Sequence, residues 1–257
     1  MDKNPVLLSI CCITYNHENY ISQAIEGFLA QKTSFNFEII IHDDASTDAT
    51  ASIVKKYEQE HPNLIKAIYQ KENQYSQGIK PWPNFVFPIA RGKYIALCEG
   101  DDYWTDPYKL QKQVDFLEAN EKIILCYHNF DTHPQGHRYQ IQKNYDHKFT
   151  FKDTLKIKQG ATLSMVFRNM FRYNSTFLEL KGDWALELFL LLHGQGYYLK
   201  EVMGVYRIHD KGVSRQPEFQ RLSLINKRRT VLRLIKYKPF KTFPFVKFLF
   251  DSYFKNA

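Results

Sequence analysis

The sequence is poor in cysteine, glycine and methionine, with 4, 11 and 4 among 257 residues. So few glycines exclude a collagen-like repeat, and four cysteines without CxxC or Cys/His spacing exclude a disulfide scaffold. Long apolar runs are missing as well. A membrane-spanning helix needs roughly 18 or more apolar residues, whereas Val6 to Ile13 and Phe243 to Phe250 are too short or are broken by Pro and Lys. Lys3 followed by Val6 to Ile13 has the outline of a signal peptide. Thr14-Tyr15-Asn16-His17 follows with no small-residue cleavage site, so a strand is expected there instead. Cys11, Cys12, Cys98 and Cys126 lie in apolar runs, the pattern of reduced, buried thiols in a cytoplasmic protein.

Apolar residues make up 44% of the chain and aromatics 16%, which supports a continuous core and excludes disorder. The length fits one large domain or two small ones sharing a cleft. Charge is unevenly placed. Residues 211–257 carry 12 Lys plus Arg against Glu218 and Asp251, so the whole basic excess of the chain lies in this tail. Leu222, Leu224, Ile225, Val231, Leu232, Leu234 and Ile235 are interleaved there with basic residues and followed by aromatics. Two readings stand for this amphipathic helical tail: contact with an anionic membrane surface, or packing of its apolar face on the body. No RNA- or DNA-binding motif accompanies it, which turns the reading away from nucleic acid.

Apolar runs alternate with helical patterns along the first half. Strands are expected at Leu7 to Ile13, Glu38 to His42, Leu64 to Tyr69, Lys93 to Cys98 and Ile123 to His128. Helices are expected near Tyr20 to Gln31, Asp48 to Glu60, Trp82 to Ala90 and Pro107 to Asn120. Strand-helix alternation of this kind implies a parallel α/β sheet. Residues 130–160 are polar and read as an excursion. A strand at Thr162 to Phe167, a helix at Trp184 to His193 and a strand pair near Tyr197 to Arg207 follow.

Ligands of open parallel sheets bind beyond the carboxyl ends of the strands. Polar residues collect at three such ends: Thr14-Tyr15-Asn16-His17, Asp43-Asp44-Ala45-Ser46-Thr47-Asp48, and Glu99-Gly100-Asp101-Asp102. Five converging carboxylates repel one another and lose hydration, a cost that a divalent metal with a nucleoside diphosphate relieves. Structural readings stand beside this one. Ser46 or Thr47 is suited to cap the next helix, with Asp48 in its first turn, and Asp106-Pro107 makes a helix start of its own. Tyr15 is either a core aromatic or a platform for a base.

The strings Ser9 to His17, Phe37 to Asp48 and Gly92 to Trp104, in this order and spacing, resemble the family 2 inverting glycosyltransferases with the GT-A fold. Gly182-Asp183-Trp184 and Tyr206 to Ser214 resemble acceptor-side elements of the same family. The implied fold is a Rossmann-like, mainly parallel sheet flanked by helices, with the basic helical tail appended. The expected division is a nucleotide-sugar-binding half (1–130), an acceptor-side half of the same domain (131–214) and the tail (215–257).

The resemblance also implies roles. Thr14, Tyr15, Asn16, Asp43 and Asp44 would line the donor site, with Tyr15 flanking the nucleobase and Asp44 accepting a hydrogen bond from it. Asp101 would hold the ribose, and Asp102, with Asp101, would sit on Mg²⁺ or Mn²⁺. Glu99 stands where many members carry Asp. Arg207 and His209 would close over the diphosphate. Asp183 would be the general base, since an acceptor hydroxyl is a poor nucleophile until its proton is taken; capping the helix that follows is its alternative. Asn73 to Ser76 would line the donor pocket, and Thr162 and Ser164 would lie near the acceptor. Trp184 is expected to pack or to stack on a sugar, and His42, His128, His133, His137 and His147 are expected to be structural or surface groups.

The expected activity moves a sugar from a UDP-sugar to a glycan or polyprenyl-linked acceptor for surface polysaccharide. The enzyme would be cytoplasmic, held at the inner leaflet of the membrane if the tail binds lipid. A dTDP-sugar donor, a sugar nucleotidyltransferase and a catalytically inactive nucleotide-binding scaffold are the alternatives.

Overall fold

The computed structural model describes residues 5–171, 182–210, 229–230, 232–238 and 242. In chain order the elements are β1 (Leu8–Thr14), α1 (Ile21–Leu29), β2 (Phe37–Asp43), α2 (Thr50–Glu60), β3 (Ile65–Tyr69), β4 (Tyr94–Glu99), β5 (Tyr103–Trp104), α3 (Lys109–Ala119), β6 (Ile123–His133), β7 (His147–Phe149), α4 (Phe151–Lys156), β8 (Val166–Arg168), α5 (Asp183–Leu191) and β9 (Gln195–Arg207). A π-helical turn at Trp82–Val86 runs into a 3-10 turn at Phe87–Ile89 where one short helix was expected, and Thr162–Ser164 is another 3-10 turn.

The strands form one sheet in the order β3-β2-β1-β4-β8-β6-β9-β5, with β7 on β9. Pairs β1/β2, β1/β4, β2/β3 and β6/β9 are parallel; β8, β5 and β7 run antiparallel to their neighbours. Side chains alternate across a strand, and here both faces are covered. On one side Leu8, Ile10 and Cys12 of β1 pack with Ile39 and Ile41 of β2 beneath Ile21, Ile25 and Phe28 of α1, Val54 of α2 and Leu110 and Val114 of α3. On the other, Cys11, Ile40, Ile95 and Leu97 pack with Val86, Phe87, Leu155 and Phe189. Fully burying one of these large side chains is worth roughly 1.5–3 kcal/mol. All four cysteines are free and buried.

Several expectations are corrected. Residues 130–160 are more than an excursion, because β6 continues to His133 and β7 and α4 follow. The strand pair near 197–207 is the single long strand β9, whose bulged pairing with β6 gives the irregular burial that mimics a break. The strand expected from Thr162 is shortened to β8, since Thr162–Ser164 turns before it. Neither Ser46 nor Thr47 caps α2: the helix opens after Ala49, and Asp48 Oδ1 accepts from the Thr50 N–H and Oγ1. Asp106 does serve the start of α3, its Oδ1 accepting from the Tyr108 N–H at 2.8 Å.

In the tail, residues 232–237 are helical. Leu234 is buried in the second core, and the Tyr237 ring lies 5.5 Å from that of Phe189 on α5, so this piece packs on the body. Of the rest of residues 211–257, only 229–230, 238 and 242 are among the described residues. Among those described, no helix is long and apolar enough to cross a membrane.

Candidate active site

Parallel pairing brings the three polar clusters together: Thr14 lies opposite Asp43, and Ile13 opposite both His42 and Glu99. The chain turns at Gly100, where an added Cβ would come within 2.7 Å of Thr14 Oγ1, so only glycine lets the acidic turn lie against β1. Asn16 adopts a left-handed backbone (φ 55°) and its side-chain oxygen accepts from the Thr47 N–H at 2.8 Å, while its own N–H donates to Ser46 Oγ at 2.9 Å. Asn16 therefore laces the first two clusters to each other. Tyr15 beside it is 42% exposed, which removes the core reading for its ring.

Asp43 and Asp44 are both buried. Asp43 accepts from the Ser46 hydroxyl and N–H, and burial pushes its carboxyl above the usual range. Asp44 accepts from the N–H groups of Gln74 (2.9 Å) and Tyr75 (3.0 Å), one on each oxygen. It thereby pins the Asn73 to Ser76 loop over the strand ends, and each of its oxygens keeps a second lone pair.

Glu99, Asp101 and Asp102 each offer a carboxylate oxygen, all within 4.8 Å of one another. Asp102 is 1% exposed; its Oδ1 accepts the Arg207 backbone N–H at 2.8 Å, and no described residue meets its buried Oδ2. Burial together with the charges of Asp101 and Glu99 holds its carboxyl well above the ordinary range. Glu99 is likewise pushed up to about 8, by burial first and then by Asp101 and Asp183. Asp101 goes the other way: burial opposes its charge, but the His209 hydrogen bond (3.0 Å) and His17 at 3.8 Å outweigh it. An unpartnered, buried oxygen beside two more carboxylates is the donor set of a hard divalent cation, so these residues fit Mg²⁺ or Mn²⁺, and the extra methylene of Glu99 does not remove it from the cluster.

Arg207 and His209 close the other side. The Arg207 guanidinium donates to the Asp101 carbonyl at 2.6 Å and to Gln23, and lies 4.3 Å over the Tyr103 ring and 5.2 Å over Tyr20. Among the described residues, Nδ1 of His17 and of His209 meet no partner.

Asp183 opens α5 with its side chain 42% exposed. Its Oδ1 accepts the Trp184 N–H at 2.7 Å, and its Oδ2 accepts from Thr162 Oγ1 at 3.1 Å and from Lys158 Nζ. Burial works against its charge, but Lys158 holds its carboxyl below the usual range. The charge of Asp183 contributes to raising both Glu99 and the Tyr75 hydroxyl, so base candidate, acidic turn and donor loop lie within electrostatic reach of one another. Trp184 is packed, donating through Nε1 to the Thr154 carbonyl at 2.9 Å, and Ser164 is fully buried with its hydroxyl on the Ala161 carbonyl. Of the two residues expected near the acceptor, only Thr162 bonds to Asp183.

Sequence reasoning missed Lys158, Gln23, Tyr20 and Tyr103. Lys158 stands in a polar stretch with no spacing that ties it to Asp183, and nothing marks the two tyrosines as partners of an arginine more than 100 positions away. His42 and His128 are buried, His42 stacked on Phe85 at 5.1 Å, and His147 lies in the aromatic group of β7.

Known proteins carry the same pattern. The family model described as glycosyl transferase family 2 matches residues 9–177. The UDP-Glc:alpha-D-GlcNAc-diphosphoundecaprenol beta-1,3-glucosyltransferase WfaP of Escherichia coli is 32% identical over 218 residues, covering 81% of this chain and 80% of that protein. An uncharacterized protein of Mycobacterium tuberculosis is 37% identical over 212 residues, covering 80% of this chain. The chain spans 60% of the length of that relative. In fold, the crystal structure of S. aureus TarS 1-349 in complex with UDP matches with a TM-score of 0.65 at 18% identity, over 90% of this chain and 66% of that one. The mannosyltransferase PcManGT from Pyrobaculum calidifontis, in complex with GDP-Man and Mn2+, matches with a TM-score of 0.57 at 14% identity, over 92% and 65%. The curled, mostly parallel sheet is thus a GT-A fold, and with a family model that matches more than half of its length, this chain belongs to glycosyl transferase family 2.

Proposed function

We propose that the chain is a metal-dependent, inverting glycosyltransferase that moves a sugar from a UDP-sugar to a glycan or lipid-linked saccharide acceptor in surface polysaccharide assembly. The observation that supports this reading is the Glu99-Asp101-Asp102 cluster, with the half-exposed carboxylate of Asp183 near enough for its charge to raise Glu99. The UDP donor and lipid-linked acceptor are supported by what the E. coli relative is named for, and by the UDP in its structural neighbour.

Each residue has a task in this reading. Tyr15 flanks the base, and Asp44 accepts from it through a lone pair left over from the Gln74 and Tyr75 bonds. Thr14, Asn16 and Asp43 shape the floor of the donor pocket, and Asp101 holds the ribose. Asp102, with Asp101 and Glu99, would hold the divalent cation, which when bound would neutralise charge on the leaving diphosphate. Arg207 and His209 stand where they meet that diphosphate. Asp183 takes the proton of the acceptor hydroxyl as the acceptor oxygen bonds to the anomeric carbon. The bond from that carbon to the diphosphate oxygen breaks and its electron pair leaves with the nucleoside diphosphate, so direct displacement inverts the centre.

The tail adds a location. Its net +10 supports contact with the anionic inner leaflet of the cytoplasmic membrane, while Leu234 and Tyr237 hold part of it to the body. Co-sedimentation with anionic liposomes that survives deletion of residues 215–257 would remove the tail from membrane binding.

Thermal unfolding with UDP, dTDP, GDP and CMP, each with and without Mn²⁺, tests the donor site, because a ligand of the native state raises stability. Selective, metal-dependent stabilisation by UDP that disappears in Asp102→Ala is expected. Preference for dTDP would reassign the donor, and no stabilisation by any of the four would favour the inactive scaffold.

A further inference from the structure

A carboxylate has about four lone-pair sites, and at Asp183 three of them are taken. Oδ2 accepts from Lys158 Nζ and from Thr162 Oγ1, and Oδ1 accepts the Trp184 N–H. One site is left, on Oδ1. We propose that Lys158 is a positioning residue for the transfer reaction: with Thr162 it clamps Oδ2 and leaves Oδ1 as the oxygen that receives the acceptor proton. This rests on Asp183 being the base.

The clamp is anchored to the helix that carries its target. Glu187, one turn beyond Asp183 on α5 and 0% exposed, accepts from the Gln159 N–H at 3.2 Å and from Thr154 Oγ1 at 2.9 Å. It thereby fixes the segment bearing Lys158 against α5. Among the described residues, the charged and titratable groups within electrostatic reach of Asp183 are Lys158 and Glu187, Glu99 from β4, Tyr75 from the donor loop and Tyr127 from β6. Burial pushes Glu187 up to about 8, which weakens its competition with Asp183 for the ammonium of Lys158. Lys158 is the cation of this group, and its side chain is 24% exposed against 42% for Asp183, so solvent screens the pair only in part.

An opposite charge in contact lowers a carboxyl pKa by roughly 1–3 units, and its removal must raise it. The test has two arms on the full chain. In the first, the protein is labelled with ¹³C at the aspartate carboxyls, the Asp183 signal is assigned by its loss in Asp183→Asn, and its midpoint is followed in wild type, Lys158→Met and Lys158→Arg. In the second, nucleoside diphosphate release is measured against pH for whichever of UDP-glucose, UDP-N-acetylglucosamine, dTDP-glucose and GDP-mannose the wild type consumes. Lys158→Met should raise the midpoint by about one unit or more and carry the acid limb of the rate profile with it. On the acid limb the rate then falls about tenfold for each unit by which the midpoint rises, and at pH 9 it is little changed. Lys158→Arg should restore both.

Should Lys158→Met not fold, as judged by circular dichroism, Lys158→Gln takes its place. Thr162→Val, which removes one donor from Oδ2 and keeps the cation, should shift the midpoint the same way by less. A midpoint unchanged in the Lys158 variants overturns the proposal, as does an acid limb that stays put while the midpoint moves. Wild-type turnover in Asp183→Asn would instead sink the base assignment, and the carboxyl titration would still report on the clamp.

Discussion

The backbone N–H of Arg207 donates to Oδ1 of Asp102 at 2.8 Å, joining the last residue of β9 to the acidic turn after β4. The side chain of Arg207 adds the Asp101 carbonyl and the faces of Tyr103 and Tyr20. Lysine keeps the charge and the backbone bond and loses the planar fork that donates and stacks at once. Arg207→Lys is therefore expected to weaken nucleoside diphosphate binding about tenfold while leaving stabilisation by Mn²⁺ alone unchanged. Calorimetric titration with UDP, and thermal unfolding with Mn²⁺, separate the two.

Asp44 has a test in the donor loop. Hydrogen bonds to a charged group are worth roughly 1.5–3 kcal/mol each, and Asp44 accepts two from the loop at Gln74 and Tyr75. Asp44→Ala should cost about 2 kcal/mol in stability and raise hydrogen exchange at the Gln74 and Tyr75 amides before any ligand is added. Unchanged exchange at those amides would mean that the loop is held by other contacts.

Lys109 carries a pH dependence whose sign is determined. The side chain is 0% exposed, its Nζ lies 4.0 Å over the Trp104 ring without a hydrogen bond, and burial brings its pKa from 10.5 down to about 7. Between about 7 and 10.5 the unfolded chain holds a proton that the folded chain has released. Stability therefore rises with pH through that window, and the cost is full below it. Lys109→Met should stabilise the protein by about 1–3 kcal/mol at pH 6, with the gain shrinking towards pH 10. Urea unfolding of both proteins at pH 6 and pH 9.5 checks it: an equal gain at both values would mean that packing, not charge, is responsible.

Gly196 marks a close approach in the second half of the sheet. A Cβ there would lie 2.1 Å from the ring of Phe149, the residue paired with it across β7 and β9. Gly196→Ala is expected to cost about 1–3 kcal/mol. Shortening the ring in the double variant with Phe149→Leu should make the combined loss smaller than the sum of the two.

The first half of the fold was legible because its physics is local. Runs such as Leu8 to Ile13 and Ile39 to Ile41 are apolar on both faces, as strands of a covered parallel sheet must be, and α1 to α3 announce themselves by period. The second half was less so. β9 alternates burial irregularly through its bulges, β7 has three residues, and Thr162–Ser164 turns where its composition suits a strand.

Residue type and spacing alone determined that polar clusters, two of them acidic, stand at three strand ends, because a strand's end is written in the switch from apolar to polar residues. Only the tertiary structure decided what each carboxylate does there. Asp44 holds a loop from residues 73–76, Asp101 meets two histidines from opposite ends of the chain, and Asp183 is gripped by Lys158. The physical reason is range. Periodicity and composition report on neighbours a few positions apart, whereas a carboxylate's protonation and aim depend on charges and donors brought near by folding, and these leave no mark in the sequence around it.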